Sequence, residues 1–370
     1  MTTASQRIDT AEVLRPPALE TGPLGYIRKT FFSSWLNTIV TLVCLYALWR
    51  LIPPIVEWAF INAVWTGNRE MCRAAQAEGL AACWAFIGEK FEFMMFGFFP
   101  ADDRWRPATM VGIFLSMIVA SAFPKLWRRE LFYAWVVALA VMYWLMAGGL
   151  GLTPVATKDW GGFALTLGVA VIAIVCSFPL GVVLALGRRS KLPVIKTLCV
   201  MYIELIRGVP LITVLFMSQF VFPLLLPAGA TVDKLLRAQI GLILFSAAYI
   251  AEIVRGGLQA MPRGQFEAAD SLGLGYWQTM RLIILPQALK ITIPAQVNSA
   301  IGLFKDTSLL LIIGIFDLMS SMRGALSDTD WLGFNVEAYA FVAVVYFVFC
   351  FAMSRYSLYL EKRLSPERKR

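Results

Sequence analysis

The sequence predicts an all-α polytopic membrane protein with about eight transmembrane helices. Hydrophobic residues fill 59% of the 370 positions and charged residues only 15%. A soluble domain with so much apolar surface would aggregate, so lipid is expected to solvate most of the chain. The apolar residues also form long runs, near or above the ~20 residues with which an α-helix crosses the hydrocarbon core. The expected spans are residues 36–58, 108–124, 131–152, 162–186, 208–227, 237–256, 291–315 and 337–358.

The positions of Lys and Arg predict how these spans are oriented. Most of the 33 basic residues fall between alternate spans or at the two ends of the chain. The positive-inside rule places those segments in the cytoplasm. Residues 1–34 and 361–370 are therefore expected to be cytoplasmic tails, the second of them basic. The net charge of +9 could suggest nucleic acid, but the charges cluster between apolar runs, so no nucleic-acid partner is expected.

Two apolar runs are longer than a single span requires. Residues 35–65 are interrupted by Arg50 and Pro53, and we expect one helix that ends near Pro53. Residues 196–227 contain charged residues before Pro210. A short segment on the inner surface is therefore expected to precede the membrane crossing there.

Several kinds of chemistry are excluded by what the sequence lacks. Without histidine there can be no Ser-His-Asp or Cys-His nucleophilic site and no zinc site of the usual kind. No GxxxxGK[ST] motif is present, so no catalytic residue is assigned and no ATP hydrolysis is expected from this chain alone. The six cysteines have no CxxC spacing, and no metal site is expected. Cys72 and Cys83 share a polar segment expected outside the cytoplasm, where a disulfide and two free thiols are both open alternatives.

The chain divides by character near residue 155. Residues 35–155 hold three spans and a periplasmic segment, 67–107, that is rich in aromatic and charged residues. No residue of this half indicates chemistry, so it is interpreted as structural. Residues 156–360 hold five spans and nearly every residue that indicates chemistry. We therefore expect a three-helix N-terminal extension followed by a five-helix core.

The inner loop between spans six and seven, residues 261–289, is the most informative segment. Inner loops of this length usually contact another molecule. Residues 265–272 contain good helix formers, and glycines then break the run. A second helical segment is expected from Tyr276 until Pro286 ends it. The prediction is a helix, a glycine turn and a helix along the inner surface.

Five residues of this loop are candidates for coupling to a partner. Ala268 and Ala269 would let a partner approach the backbone, and Gly273 permits a left-handed turn. Glu267 could offer a carboxylate to that partner, or pair with Arg263 at the i,i+4 spacing. The alternative is an amphipathic helix pair that rests on lipid headgroups.

These residues resemble a known motif. The run EAA at 267–269, Gly273 and the run ILP at 284–286 resemble the EAA loop of binding-protein-dependent ABC importer permeases. The resemblance implies a five-helix importer core and a coupling helix that docks on a cytoplasmic ATPase. It also implies that the ATPase subunits bind the ATP and magnesium, so that this chain is no enzyme and carries no cofactor.

Further positions resemble one branch of that family, the polar amino acid permeases. The matching runs, which extend over the five-span core, are YIELIRGVP at 202–210, AE at 251–252, RGG at 255–257 and KDTSL at 305–309. The long N-terminal extension resembles the M-type permease of general L-amino acid ABC transporters.

Two adjacent charges, Lys305 and Asp306, are expected inside span seven. A charge near the bilayer centre costs at least ~2.5 kcal/mol on insertion scales, so it needs a partner or a task. One interpretation is a structural ion pair between neighbouring helices. The other is a solute path in which the pair neutralises both ends of an amino acid zwitterion. That path would be lined by Lys305, Asp306, Thr307, Ser308, Asn298 and Ser299, the neutral residue at 299 suiting a broad range of side chains.

Four charged residues fall at the inner ends of spans five and six. Glu204 and Arg207 lie three residues apart, as do Glu252 and Arg255. They are interpreted as an inner network that stabilises one gate state rather than as substrate ligands.

The resemblance implies the permease subunit of an ATP-driven importer of L-amino acids, of broad range, in a bacterial inner membrane. The implied partners are a second permease, expected to be a different chain, an ABC ATPase dimer, a periplasmic amino acid-binding protein and the lipid membrane. Three alternatives are open. They are the same machine with another polar solute such as an opine or a polyamine, an ion-coupled secondary transporter, and a scaffold that binds an ATPase but moves nothing.

Overall fold

The computed structural model describes residues 22–227 and 229–364, and these residues are almost entirely helical. Three isolated bridges are the extended pairings among them, and the described chain contains no β-strand. The predicted all-α fold is confirmed. Most of the two predicted tails, 1–34 and 361–370, lies outside the described residues.

Contacts divide the chain into two compact units, Met1–Ala85 and Phe86–Arg370. The division predicted near residue 155 is of another kind, because it separates segments by the residues that indicate chemistry and not by contacts. It stays a prediction. Each unit is described by itself below.

From Gly22 onward, the first unit forms the helices α1 (Gly22–Phe31), α2 (Trp35–Val56) and α3 (Arg69–Glu78). The side chain of Ser34 accepts a hydrogen bond from the Asn37 N–H and caps the start of α2. None of the residues of α2 is buried. Most of its side chains are large, apolar and exposed.

Helix α2 does not end near Pro53, contrary to the prediction. Pro53 and Pro54 both lie inside it, and a π-helical turn continues the run to Ile61. The N–H of Glu57 bonds to both proline carbonyls. The backbone beyond the prolines thus keeps its hydrogen bonds, although the prolines themselves donate none.

Cys72 and Cys83 form a disulfide in the first unit, which decides between the two alternatives left by the sequence. Both cysteines are fully buried. Beside the disulfide, the Val64 N–H donates to the Ala82 carbonyl oxygen at 2.8 Å. The segment after α2 is therefore closed on itself both covalently and through the backbone.

The second unit contains the remaining helices. They are α4 (Trp84–Phe96), which begins at the boundary, α5 (Trp105–Ala122), α6 (Arg129–Ala147), α7 (Gly162–Arg188), α8 (Pro193–Arg207), α9 (Leu211–Phe216), α10 (Lys234–Gln259), α11 (Arg263–Ser271), α12 (Tyr276–Thr279), α13 (Leu285–Asp306), α14 (Leu318–Leu326) and α15 (Asn335–Leu364). Helix α10 packs along α7 and also contacts α13, which in turn contacts α15. We call the end that carries the 261–289 loop the inner end and the opposite one the outer end.

Six helical runs of the described chain are long and apolar enough to cross a membrane. They are Trp35–Ile61, Ala101–Ala122, Arg129–Ala147, Gly162–Arg188, Lys234–Gln259 and Asn335–Arg363, and each overlaps a predicted span. A seventh is obtained if Pro193–Arg207 and Leu211–Leu225, which meet at 107°, are counted as one broken span. The predicted span 291–315 instead consists of the less apolar α13 and a 3₁₀ segment, Thr307–Ile313. The described chain thus has six or seven such helices rather than eight.

The bend between α8 and α9 follows from the sequence around Pro210. A residue that precedes a proline avoids the α conformation, so the helix ends at Arg207 and a new one starts after Pro210. Helix α8 is the short inner segment that the sequence predicts. Its exposed side carries large apolar residues such as Leu198 and Leu205, whereas Ile203 is fully buried.

At the outer end, Asp317 ties α14 to α7. Its carboxylate accepts hydrogen bonds from the N–H of Met319 and from the N–H and hydroxyl of Ser320, which caps α14. Burial raises the pKa of Asp317 to about 6, against the opposing effect of the Ser320 hydrogen bonds. The Leu318 N–H next to it donates to the Thr166 hydroxyl of α7 at 2.9 Å.

A second outer contact joins α4 to the segment after α14. The Lys90 ammonium lies 2.6 Å from an Asp328 carboxylate oxygen, and the Trp331 indole donates to Glu89 at 2.9 Å. Burial lowers the pKa of Lys90, but the bonds to Asp328 and Glu89 outweigh it, so the pKa is raised. The same bond lowers the pKa of Asp328.

Candidate coupling and transport site

The 261–289 loop forms a compact helical hairpin at the inner end. Helix α11 is followed by a turn at Gly273, whose φ of +70° lies in the left-handed region that favours glycine. Helix α12 then passes through a π-helical turn, Met280–Ile284, directly into α13. Pro286 does not end a helix as predicted, because it lies in the first turn of α13, where a missing N–H costs no hydrogen bond.

The coupling candidates of α11 divide between an exposed and a buried side. Arg263, Glu267 and Ala268 are exposed, whereas Ala269 is fully buried. No ion pair among the described residues joins Arg263 to Glu267. Beyond the turn, Leu272 and Trp277 are 75% and 70% exposed. The hairpin therefore presents a carboxylate, a small residue and large apolar side chains on its open surface.

A charge network connects three helices at the inner end. Glu252 of α10 accepts two hydrogen bonds from the Arg255 Nε at 2.9 and 2.8 Å and a third from the Arg255 Nη2. Its carboxylate also lies 3.3 Å from Arg188 of α7 and 3.9 Å from Arg207 of α8. Glu204 of α8 pairs with Arg188 at 2.8 Å. All four predicted gate residues thus lie in one network, linked by a fifth residue.

Arg188 is the residue that the sequence-based reasoning missed. Glu204 pairs with it across helices rather than with Arg207 three residues along its own helix. In the sequence, Arg188 and Arg189 are two of the basic residues that predict the orientation of the spans, and nothing else distinguishes them. The available signal was that two adjacent arginines end a helix that is apolar for almost all of its 27 residues.

The predicted solute-path residues lie on α13 and just after it. Asn298 and Lys305 are seven residues apart, so they share one face of the helix, and both are exposed. Thr307 is fully buried and donates its hydroxyl hydrogen to the Phe304 carbonyl at 2.7 Å. No ion pair within the described chain involves Lys305, so the structural ion-pair interpretation finds no partner there. The two charged residues end α13 and directly precede the 3₁₀ segment Thr307–Ile313.

A cavity of about 310 Å³ lies between α7, α10 and α13. Its apolar wall includes Ile174, Phe178 and Ile250, and its polar groups are Ser177, Ser246, Gln296 and Ser299. Ser299 is thus a path candidate that lines a partly open cavity, and no charged side chain is part of this lining. Asp306 and Ser308 are half-buried residues outside this lining. No group of acidic or cysteine side chains in the described ranges could hold a metal ion.

Comparison with known proteins identifies the family. Residues 177–366 match the model of the binding-protein-dependent transport system inner membrane component. The chain is 50% identical to the inner membrane amino-acid ABC transporter permease protein YhdY of Escherichia coli K12, with 93% of each chain covered. It is 39% identical to the glutamate/glutamine/aspartate/asparagine transport system permease protein BztC of Rhodobacter capsulatus, with 97% of this chain and 98% of the relative covered.

A shorter relative has only part of this architecture. The probable glutamine ABC transporter permease protein GlnM of Bacillus subtilis is 39% identical over 55% of this chain, which is 91% of its own length. The extra length of the present chain is shared with the two relatives that it matches almost end to end. The chain is a multi-pass membrane protein that belongs to the family of binding-protein-dependent transport system inner membrane components.

Proposed function

We propose that this permease subunit carries L-amino acids of broad range into a bacterial cell in an ATP-driven importer. The observation that carries the proposal is the helical hairpin of α11 and α12, an exposed surface element joined without a break to α13. Two relatives, an amino-acid permease and a permease for acidic amino acids and their amides, support this cargo class.

The proposed partners follow from the surfaces of the chain and from its family. An ABC ATPase dimer, which binds ATP and magnesium, docks on the exposed face of α11 around Glu267 and Ala268. A periplasmic amino acid-binding protein delivers the solute at the outer end. A second and different permease completes the path opposite α13. Both termini are then cytoplasmic, as the basic residues predict.

The proposed path runs along α13. The cavity that contains Ser299 and Gln296 offers hydroxyl and amide groups among apolar walls, which suits amino acids with differing side chains. The exposed face of Asn298 and Lys305 continues the path toward the outer end. Lys305 then attracts the carboxylate of the solute and Asp306 its ammonium, with Thr307 and Ser308 beside them.

The first test is uptake of a radiolabelled amino acid mixture into cells that contain or lack the gene. A Gly273→Val variant forces a β-branched side chain into the left-handed turn, and uptake is expected to collapse while the protein level on a blot stays normal. Gly275→Val is the matched control. Gly275 has an ordinary φ of −66°, and an added Cβ would meet only the Gln278 Oε1 at 3.7 Å.

The outcomes separate the machine from its cargo. If uptake depends on the gene and on Gly273 but not on Gly275, the coupled amino acid importer stands. Unchanged uptake in the deletion strain refutes the amino acid cargo, and the same assay then moves to opines and polyamines.

A further inference from the structure

The inner end of α7 contacts three other helices within three consecutive residues. Gly187, Arg188 and Arg189 end this helix and begin the turn before α8. Each of them makes a different kind of contact. Together they lie between the 261–289 hairpin and the charge network.

Gly187 fixes α7 tightly against α8. A Cβ at this position would lie 2.4 Å from the Cys199 sulfur, closer than any real contact. The Cys199 side chain can occupy this space only because residue 187 has no side chain of its own. The end of α7 and the middle of α8 therefore pack as one body.

Arg188 joins that body to the charge network. Its guanidinium lies 2.8 Å from Glu204 of α8 and 3.3 Å from Glu252 of α10. A displacement of the end of α7 away from α10 by an ångström or more would take the Arg188–Glu252 contact beyond hydrogen-bond range, whereas the Glu204 contact, which lies within the α7–α8 pair, would be kept. The network is therefore sensitive to where this end of α7 lies.

Arg189 reaches in the other direction, toward the hairpin. Its Nη1 donates to the Leu258 carbonyl oxygen at the end of α10 at 3.0 Å. Its guanidinium carbon lies 5.9 Å from the ring centre of Phe266, which belongs to α11. Phe266 itself packs on the buried inner core that includes Ile203 and Ile284. The planar guanidinium can donate to the carbonyl and face the ring at the same time, which a lysine ammonium does poorly.

We propose that Arg189 is a positioning residue that transmits the movement of α11 to the charge network through the end of α7. This inference rests on the proposed function. When a partner moves α11, the Phe266 ring carries the Arg189 guanidinium with it. The neighbouring Arg188 then changes its distance from Glu252. Arg189 touches neither solute nor nucleotide, so its effect appears in coupling and not in recognition.

The test uses the whole transporter, purified with its own ATPase from native membranes through a tag on this chain and reconstituted in liposomes. Basal ATPase, substrate-stimulated ATPase and amino acid uptake are measured for Arg189→Gln. Uptake per ATP is expected to fall about two- to fivefold, the effect of losing the cation–π contact with Phe266 through which the movement passes. Basal ATPase and the KM for uptake are expected to stay within about twofold.

Two variants of Phe266 distinguish transmission from simple packing. Phe266→Leu keeps an apolar side chain in the core but removes the ring face, so it should lower coupling as Arg189→Gln does. Phe266→Tyr keeps the ring and should retain coupling. Adding Phe266→Leu to Arg189→Gln should cause no further loss, because both changes break the same contact. The matched control is Lys191→Gln, which removes an exposed positive charge from the same turn.

The outcomes are separable. If the unmodified transporter takes up no amino acid, the proposed function fails. If it transports and Arg189→Gln couples normally, only the transmission role is overturned. If Arg189→Gln does not assemble with its partners, the test rests on the two Phe266 variants. Equal coupling in Phe266→Leu and Phe266→Tyr then overturns the transmission role of Arg189.

Discussion

Glu252→Gln removes the hub of the inner charge network and leaves its shape nearly unchanged. The Glu252 side chain is 22% exposed and faces the guanidinium groups of Arg188, Arg207 and Arg255. Glutamine keeps one acceptor oxygen but no charge. Three arginines would then lie near one another with Glu204 as the remaining carboxylate of the network.

The magnitude follows from these contacts. A hydrogen bond to a charged group contributes about 1.5–3 kcal/mol, and partial exposure reduces the share that an ion pair adds, so the loss is about 2 kcal/mol. If the network forms in one gate state only, that loss shifts the equilibrium between gate states by about 30-fold. Glu204 is 56% exposed and pairs with one arginine, so Glu204→Gln should cost only about 0.5 kcal/mol, or about twofold.

The assay is the reconstituted transporter with several amino acids supplied in turn. For Glu252→Gln, we expect the ratio of stimulated to basal ATPase and the uptake per ATP to fall by tenfold or more, up to the limit of about 30-fold. The order of preference among amino acids should not change, because none of the network residues lines the cavity that contains Ser299. Glu204→Gln provides the graded comparison.

Two results would refute this reasoning. Equal losses in Glu252→Gln and Glu204→Gln would mean that the number of arginine contacts does not set the effect. A changed order of amino acid preference with intact coupling would make Glu252 part of the substrate path.

Three further predictions test other parts of the molecule. Burial raises the pKa of Asp317 to about 6 from 3.8, so the folded protein binds this proton more tightly than the unfolded chain does. The resulting contribution to the free energy of unfolding is complete below pH 3.8 and is lost as the pH rises through 6. Melting temperatures of the detergent-solubilised protein should fall across this window by an amount worth at most about 3 kcal/mol, and Asp317→Asn, which can still cap α14, should remove that slope. Cys72→Ser should lower the melting temperature through loss of about 2–3 kcal/mol, the loss being reproduced by reductant and absent in the control Cys44→Ser; an unchanged transition would contradict the disulfide with Cys83. Lys305→Glu should reduce amino acid uptake by at least about tenfold through repulsion of the solute carboxylate, and wild-type uptake in that variant would remove Lys305 from the path.

Most of the fold could be predicted because hydropathy alone determines which segments cross lipid. The wrong predictions are those in which a proline is expected to end a helix. Pro53 lies inside α2 and Pro286 in the first turn of α13, because π-helical turns and downstream N–H groups restore the backbone hydrogen bonds nearby. Hydropathy also predicts one continuous span over residues 291–315. In the structure α13 ends at Asp306, where the chain tightens into a 3₁₀ segment.

The candidate site could be predicted only as far as local spacing allows. The hairpin around Gly273 follows from residues close together in the sequence. Arg188 could not be paired with Glu204 and Glu252 from spacing, because those contacts join three helices. The cavity beside Ser299 needs serines from α7 and α10 that no motif distinguishes from ordinary small residues.

The unbroken helical run from Tyr276 to Asp306 has a mechanical consequence. At ~1.5 Å per residue, these helices and their π turn reach about 45 Å, more than the thickness of a bilayer's hydrocarbon core. The hairpin is therefore the short arm of a lever whose long arm ends at Lys305. A partner that tilts the hairpin by a few degrees would displace the far end at Lys305 by several ångströms, and Pro286 and Pro294 are the points at which the run can bend.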